Sequence, residues 1–174
     1  DGRFQPRYDR IWQIGSTLTK DLGQAVLRAE AVYAGGRSFS VSDPTAPQGV
    51  VARNTLDWVV SAEMPLESVD GRVNVQVFQR LHFGGGADAF IVDTGSFGAS
   101  LLISAKLTPS LEPSLLWMQG FGGAGSMVRP RLAWSGARNL SLAVAVDIFG
   151  GSANGYFGRF GYRDRVALEA RYSF

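Results

Sequence analysis

Arg165-Val-Ala-Leu-Glu-Ala-Arg-Tyr-Ser-Phe174 ends the sequence, and it separates into two sets when every second residue is taken. Val166, Leu168, Ala170, Tyr172 and Phe174 are apolar throughout, while Ala167, Glu169, Arg171 and Ser173 carry the charge. A β-strand sends successive side chains to opposite faces, so this segment reads as a strand with one apolar and one charged face. Fraying termini rarely hold such a pattern to the last residue.

Working back from there, the same period of two recurs in segments of about ten residues. Leu140, Leu142, Val144, Val146 and Ile148 oppose Ser141, Ala143, Ala145 and Asp147. Val128, Pro130, Leu132 and Trp134 oppose Arg129, Arg131 and Ala133. Pro130 cannot donate to a ladder and belongs at an edge, a rim or a bulge. The segment 113–120 is apolar on both faces, which leaves its phase open. Leu101, Ile103, Ala105 and Leu107 face away from Ser100, Leu102, Ser104 and Lys106. Val73, Val75 and Val77 oppose Asn74, Gln76, Phe78 and Arg80, and Leu56, Trp58, Val60, Ala62 and Met64 oppose Thr55, Asp57, Val59, Ser61 and Glu63. Leu27, Ala29, Ala31 and Tyr33 alternate with Arg28, Glu30 and Val32, and Trp12, Ile14, Ser16 and Leu18 with Gln13, Gly15, Thr17 and Thr19.

Connections between these segments alternate in length. Short turns fall near 21–24, 65–71, 108–112 and 136–139; longer, Gly-rich or Pro-containing connections fall at 35–52, 82–96, 121–126 and 150–162. Antiparallel transmembrane barrels have this asymmetry, with short periplasmic turns and longer outer loops. Strands of about 9 to 11 tilted residues also suit the hydrocarbon layer. The expected fold is therefore all-β, an antiparallel up-and-down transmembrane β-barrel with about nine visible strands in a single segment, 1–174. A soluble sandwich with the clean face as its core shares the period but not the loop asymmetry.

A charge on the lipid face costs about 2–4 kcal/mol near the midplane, so the nearly uncharged face is assigned to lipid. Arg28, Glu30, Asp57, Glu63, Arg80, Lys106, Arg129, Arg131, Asp147, Glu169 and Arg171 are then candidates to line a lumen. Opposed charges there would filter solutes; interior salt bridges filling a narrow barrel are the structural alternative. Trp12, Tyr33, Trp58 and Trp134, with Tyr172 and Phe174, lie near strand ends on the clean face, as an interfacial aromatic girdle requires. With Phe174 periplasmic, an odd strand count leaves the start of the chain outside, whereas single-chain bacterial barrels have even counts. The expectation is either a strand portion hidden in 1–9 or a segment of a larger barrel.

Composition narrows the alternatives. The 174 residues suit one domain, with 22 glycines, 11% aromatic and 18% charged residues. No apolar run approaches the 18 or so residues of a spanning helix. Cysteine is absent, which removes disulfides and thiolate metal sites, and a net charge of +2 with scattered basic residues gives no nucleic-acid footprint. No catalytic or metal site is expected, and no cofactor. His82, the one histidine, reads as a loop residue beside Gly84-Gly-Gly-Ala-Asp88, which lacks the Lys-Ser/Thr of a phosphate loop. Asp43, Asp88 and Asp93 lack EF-hand spacing.

The terminal strand, with apolar residues at alternate positions and a final Phe, resembles the closing strand of bacterial outer-membrane barrels. That resemblance implies that Val166, Leu168, Ala170, Tyr172 and Phe174 are read by the barrel assembly machinery. Tyr156-Phe-Gly-Arg-Phe-Gly-Tyr-Arg-Asp-Arg-Val166 leading to Tyr-Ser-Phe174, together with Met127-Val-Arg-Pro-Arg-Leu132, is similar to the carboxy-terminal half of a large family of uncharacterised, porin-like proteobacterial barrels. Members are often encoded near resistance-nodulation-division exporters. The resemblance implies an outer-membrane location, lipid as surroundings, an envelope exporter as possible partner, and a channel or transporter for small solutes or hydrophobic molecules. A non-conducting structural or adhesive barrel acting through its loops is the alternative.

Overall fold

The computed structural model describes residues 10–84 and 97–174. Nine strands follow one another: β1 (Trp12–Asp21), β2 (Val26–Ser40), β3 (Val50–Leu66), β4 (Gly71–Phe83), β5 (Phe97–Ala105), β6 (Leu111–Gly120), β7 (Gly125–Ala137), β8 (Leu140–Gly150) and β9 (Arg165–Tyr172). Each pairs antiparallel with its sequence neighbours in one sheet of order β1 to β9. The up-and-down, all-β architecture is thus the expected one. Among the described residues β1 and β9 each have a single neighbour, so the sheet is not closed. Both run from the long-loop end to the short-turn end, and a direct pair between them would be parallel.

The register carries each face across the sheet without interruption. One row passes from Leu27 to Ala62, Val75, Leu101, Trp117, Val128 and Ile148, all apolar. The period-two phase of segment 113–120 follows from its partners: Leu115 and Trp117 share the apolar face with Ile103 and Leu101, while Leu116 and Met118 lie with Leu102 and Ser100. This apolar face is not a core. Val75, Ile103, Leu115, Leu132, Leu142, Val144, Ile148, Val166 and Leu168 are exposed, and few large apolar side chains are buried among the described residues. The sheet curls the other way, so that β2, β3, β4 and β6 line a common cavity on the charged face.

Several boundaries differ from the sequence reading. The expected connection 35–52 shortens to 41–49, because Gly35 and Gly36 form a bulge rather than a turn; pairing resumes from Ala34–Thr55 to Arg37–Arg53. Gly36 adopts φ +76°, a conformation L side chains rarely take, and its N–H donates to Asn54 Oδ1 at 3.1 Å. His82 lies in β4 opposite Thr55, its ring 4.8 Å from that of Phe39, not in a loop. Pro130 sits inside β7 between β6 and β8. It leaves the β7–β8 ladder without pairing at Arg129 and Pro130 while keeping the register on either side. Residues 1–9, Gly85, Gly86, Asp88 and Asp93 lie outside the described residues.

Candidate functional site

The charged face is organised as ion pairs between neighbouring strands. Asp57 on β3 receives Arg80 of β4 directly opposite it, Nε to Oδ1 at 2.5 Å and Nη2 to Oδ2 at 2.8 Å. It also receives Arg37 of β2, Nη1 to Oδ2 at 2.8 Å. The bulge makes the second contact possible: one extra residue returns Arg37 to the face that strict alternation from Arg28 would deny it. Asp147 on β8 repeats the arrangement. Arg129 of β7 binds both of its oxygens through Nε and Nη2, and Arg165 of β9 binds Oδ2 through Nε. Each carboxylate therefore sits on a central strand between guanidiniums from both flanking strands, in the planar, two-pronged geometry that favours arginine over lysine.

Nearer the short turns, Arg28 binds Glu63 at 3.2 Å and Arg131 binds Glu169 at 3.1 Å. Of the eleven lumen candidates, these contacts bring together Arg28 with Glu63, Asp57 with Arg80, Arg129 with Asp147, and Arg131 with Glu169. Lys106 lies just beyond β5 and pairs with Asp70 at the short-turn rim, at 3.0 Å, so it does not join them. Glu30 and Arg171 make no ion pair among the described residues. Arg37, Arg165 and Arg72 lie on the same face and were missed. Counting antiparallel register outward from Asp147 places Arg165 opposite it; only recognising Gly35-Gly36 as a bulge would have placed Arg37.

Two cavities open along this face. One, of about 450 Å³, is bounded by Glu30, Val32, Asp57, Val59, Phe78, Arg80, Met118 and Ala124, with Tyr156 and Phe157 over it. The second, of about 480 Å³, lies towards the short turns and is polar, with Arg28, Glu63, Arg72, Asn74 and Gln76 on its walls; Glu30 and Val59 border both cavities. Tyr156 and Phe157 belong to the connection 151–164, which is folded onto the sheet interior. Phe157 is 8% exposed and its N–H donates to Ala124 O at 2.8 Å. A Cβ on Gly155 would lie 2.2 Å from Gly123 O, so only glycine allows that approach.

On the opposite face aromatic rings gather near the long-loop end. Trp12 contacts Tyr33 at 5.4 Å, Tyr33 contacts Phe83 at 6.1 Å, Trp58 contacts Phe97 at 6.4 Å and Phe97 stacks on Phe121 at 5.5 Å. Trp134 and Tyr172 lie at the other end, opposite Leu111 and Leu140. Val166, Leu168, Ala170 and Tyr172 point to this apolar face on β9, against Val146, Val144, Leu142 and Leu140. Comparison with protein-family models, with curated proteins and with solved structures returned no match.

Proposed function

We propose that this chain forms wall of a β-barrel in the bacterial outer membrane, its charged face lining a passage for small solutes or hydrophobic molecules. One observation carries the reading: among the described residues the large side chains of the apolar face are half-exposed or exposed and none is buried, while the ion pairs collect on the face that curls inward. In water that arrangement would leave a large apolar surface exposed, whereas a bilayer covers it. The aromatic clusters at both ends of the apolar face suit the two interfaces. Barrel assembly machinery reading β9 and a neighbouring envelope exporter are the partners this reading carries.

The test is refolding in detergent. The expected outcome is heat-modifiable migration on gels and ion conductance in planar bilayers; a chain that is soluble and folded without detergent would contradict it. The inward fold of 151–164 favours a second reading, a barrel narrowed or closed by that segment and acting through its loops. An assembled barrel with no conductance would select it.

A further inference from the structure

We propose that the cavity beneath Phe157 binds a hydrophobic organic cation, with Glu30 as its counter-charge. The strand register shows how the cavity arises. Glu30 shares a row with Val59, Phe78, Gly98 and Gly120, so no other charge stands at its level across five strands. Gly98 leaves room for the Phe78 ring, which a Cβ there would meet at 2.4 Å. The ring therefore lies across the sheet and widens the apolar wall that Val59 and Met118 continue.

Among the described residues the arginines nearest Phe78 are held by carboxylates. Arg80 and Arg37 share Asp57, and Arg28 is held by Glu63. Arg72 borders the polar cavity that Glu30 also touches, but it stands six residues from Phe78 along β4, roughly 20 Å at about 3.3 Å per residue, and does not border the cavity under Phe157. Arg159 lies over the Tyr156 ring at 5.4 Å and does not border the cavity. Of the two carboxylates that border this largely apolar cavity, Asp57 is paired, and among the described residues Glu30 is left without an ion-pair partner at the edge shared with the polar cavity; the volume of about 450 Å³ falls in the range of small-molecule sites. An alkylammonium with an aromatic or branched body would place its charge at Glu30 and its body against Phe78, Met118 and Phe157, where ring faces attract cations. An organic anion of the same size would meet Glu30 unpaired.

The site borrows from the transport reading only a water-accessible inner face, and conductance on the same preparation judges that reading separately. The full chain, refolded in detergent, is titrated calorimetrically with benzyltriethylammonium and with 4-tert-butylbenzenesulfonate. The cation is expected to bind at least about tenfold more tightly than the anion. Glu30→Gln is expected to lower the cation's affinity about tenfold and leave the anion's unchanged, with Glu67→Gln, in the exposed short turn 65–71, as the charge-matched control. Equal binding of the two ions, no binding of the cation, or full cation affinity in Glu30→Gln overturns the proposal. The comparison of the two ions on the unaltered chain decides it even if the variant fails to assemble.

Discussion

Asp147 and Asp57 have the same partners by type and differ in burial, which makes them a matched pair. The Asp147 side chain is 1% exposed and that of Asp57 31%. Asp147→Asn leaves a buried amide group whose lost contacts water cannot replace at the side chain itself, while Arg129 and Arg165 remain accessible to water; at Asp57 water can replace the lost contacts at the carboxylate position. Asp147→Asn is therefore expected to cost about 2–3 kcal/mol and Asp57→Asn about 1 kcal/mol. Urea unfolding of the detergent-refolded chain measures both, and equal costs would mean that burial does not set the difference. Asp43, in the connection 41–49, behaves differently because it is exposed. Its carboxyl is held below the usual carboxylate range by hydrogen bonds from the Thr45 hydroxyl and N–H, at 2.7 and 2.8 Å. A depressed acid contributes order that is present above its ordinary pKa and is lost as pH falls through the lowered value. The Thr45 amide should accordingly exchange faster, beyond the intrinsic rate change, once the pH drops below the normal carboxylate range. An Asp43→Asn chain should show no such step.

At the scale of elements, the connection 151–164 is fixed by close backbone approach rather than by a large core. Gly155→Val would drive a side chain against Gly123 O and unseat Phe157 from Ala124. Trypsin is expected to cut after Arg159 and Arg163 at least about tenfold faster in that variant, with β8 and β9 still paired. Unchanged cleavage would show that the segment is not held there. The strands themselves were readable because alternation needs only local sequence: Leu56 to Met64 and Leu140 to Ile148 settle their faces by period alone. What was not readable depended on distant partners. Gly35-Gly36 looks the same in a turn and in a bulge, and only Asn54 and Arg53 across the ladder decide between them. His82 reads as a loop residue for a related reason, since the long strand β3 carries β4's ladder to Phe83, right up to the glycine run that suggests a loop. The ion pairs were half legible: the charged face was found from alternation, but the inward turn of Tyr156 and Phe157 has no local periodic signal.

For the whole molecule, the decisive property is the sign of the two faces. Val144 lies mid-strand on the apolar face between Leu132 and Leu168, so Val144→Arg is expected to cost about 2–4 kcal/mol of bilayer-assembled stability. Gln76→Arg, on the charged face, should cost less than about 1 kcal/mol. The sequence contains 4 tryptophans, Trp12, Trp58, Trp117 and Trp134, and the register places every one of them on the apolar face. Their fluorescence in vesicles of acyl-chain-brominated phosphatidylcholine reports directly whether that face meets lipid. Strong quenching relative to unbrominated vesicles, with acrylamide in the aqueous phase quenching weakly, is the predicted result. Emission untouched by brominated chains and readily quenched by acrylamide would contradict it.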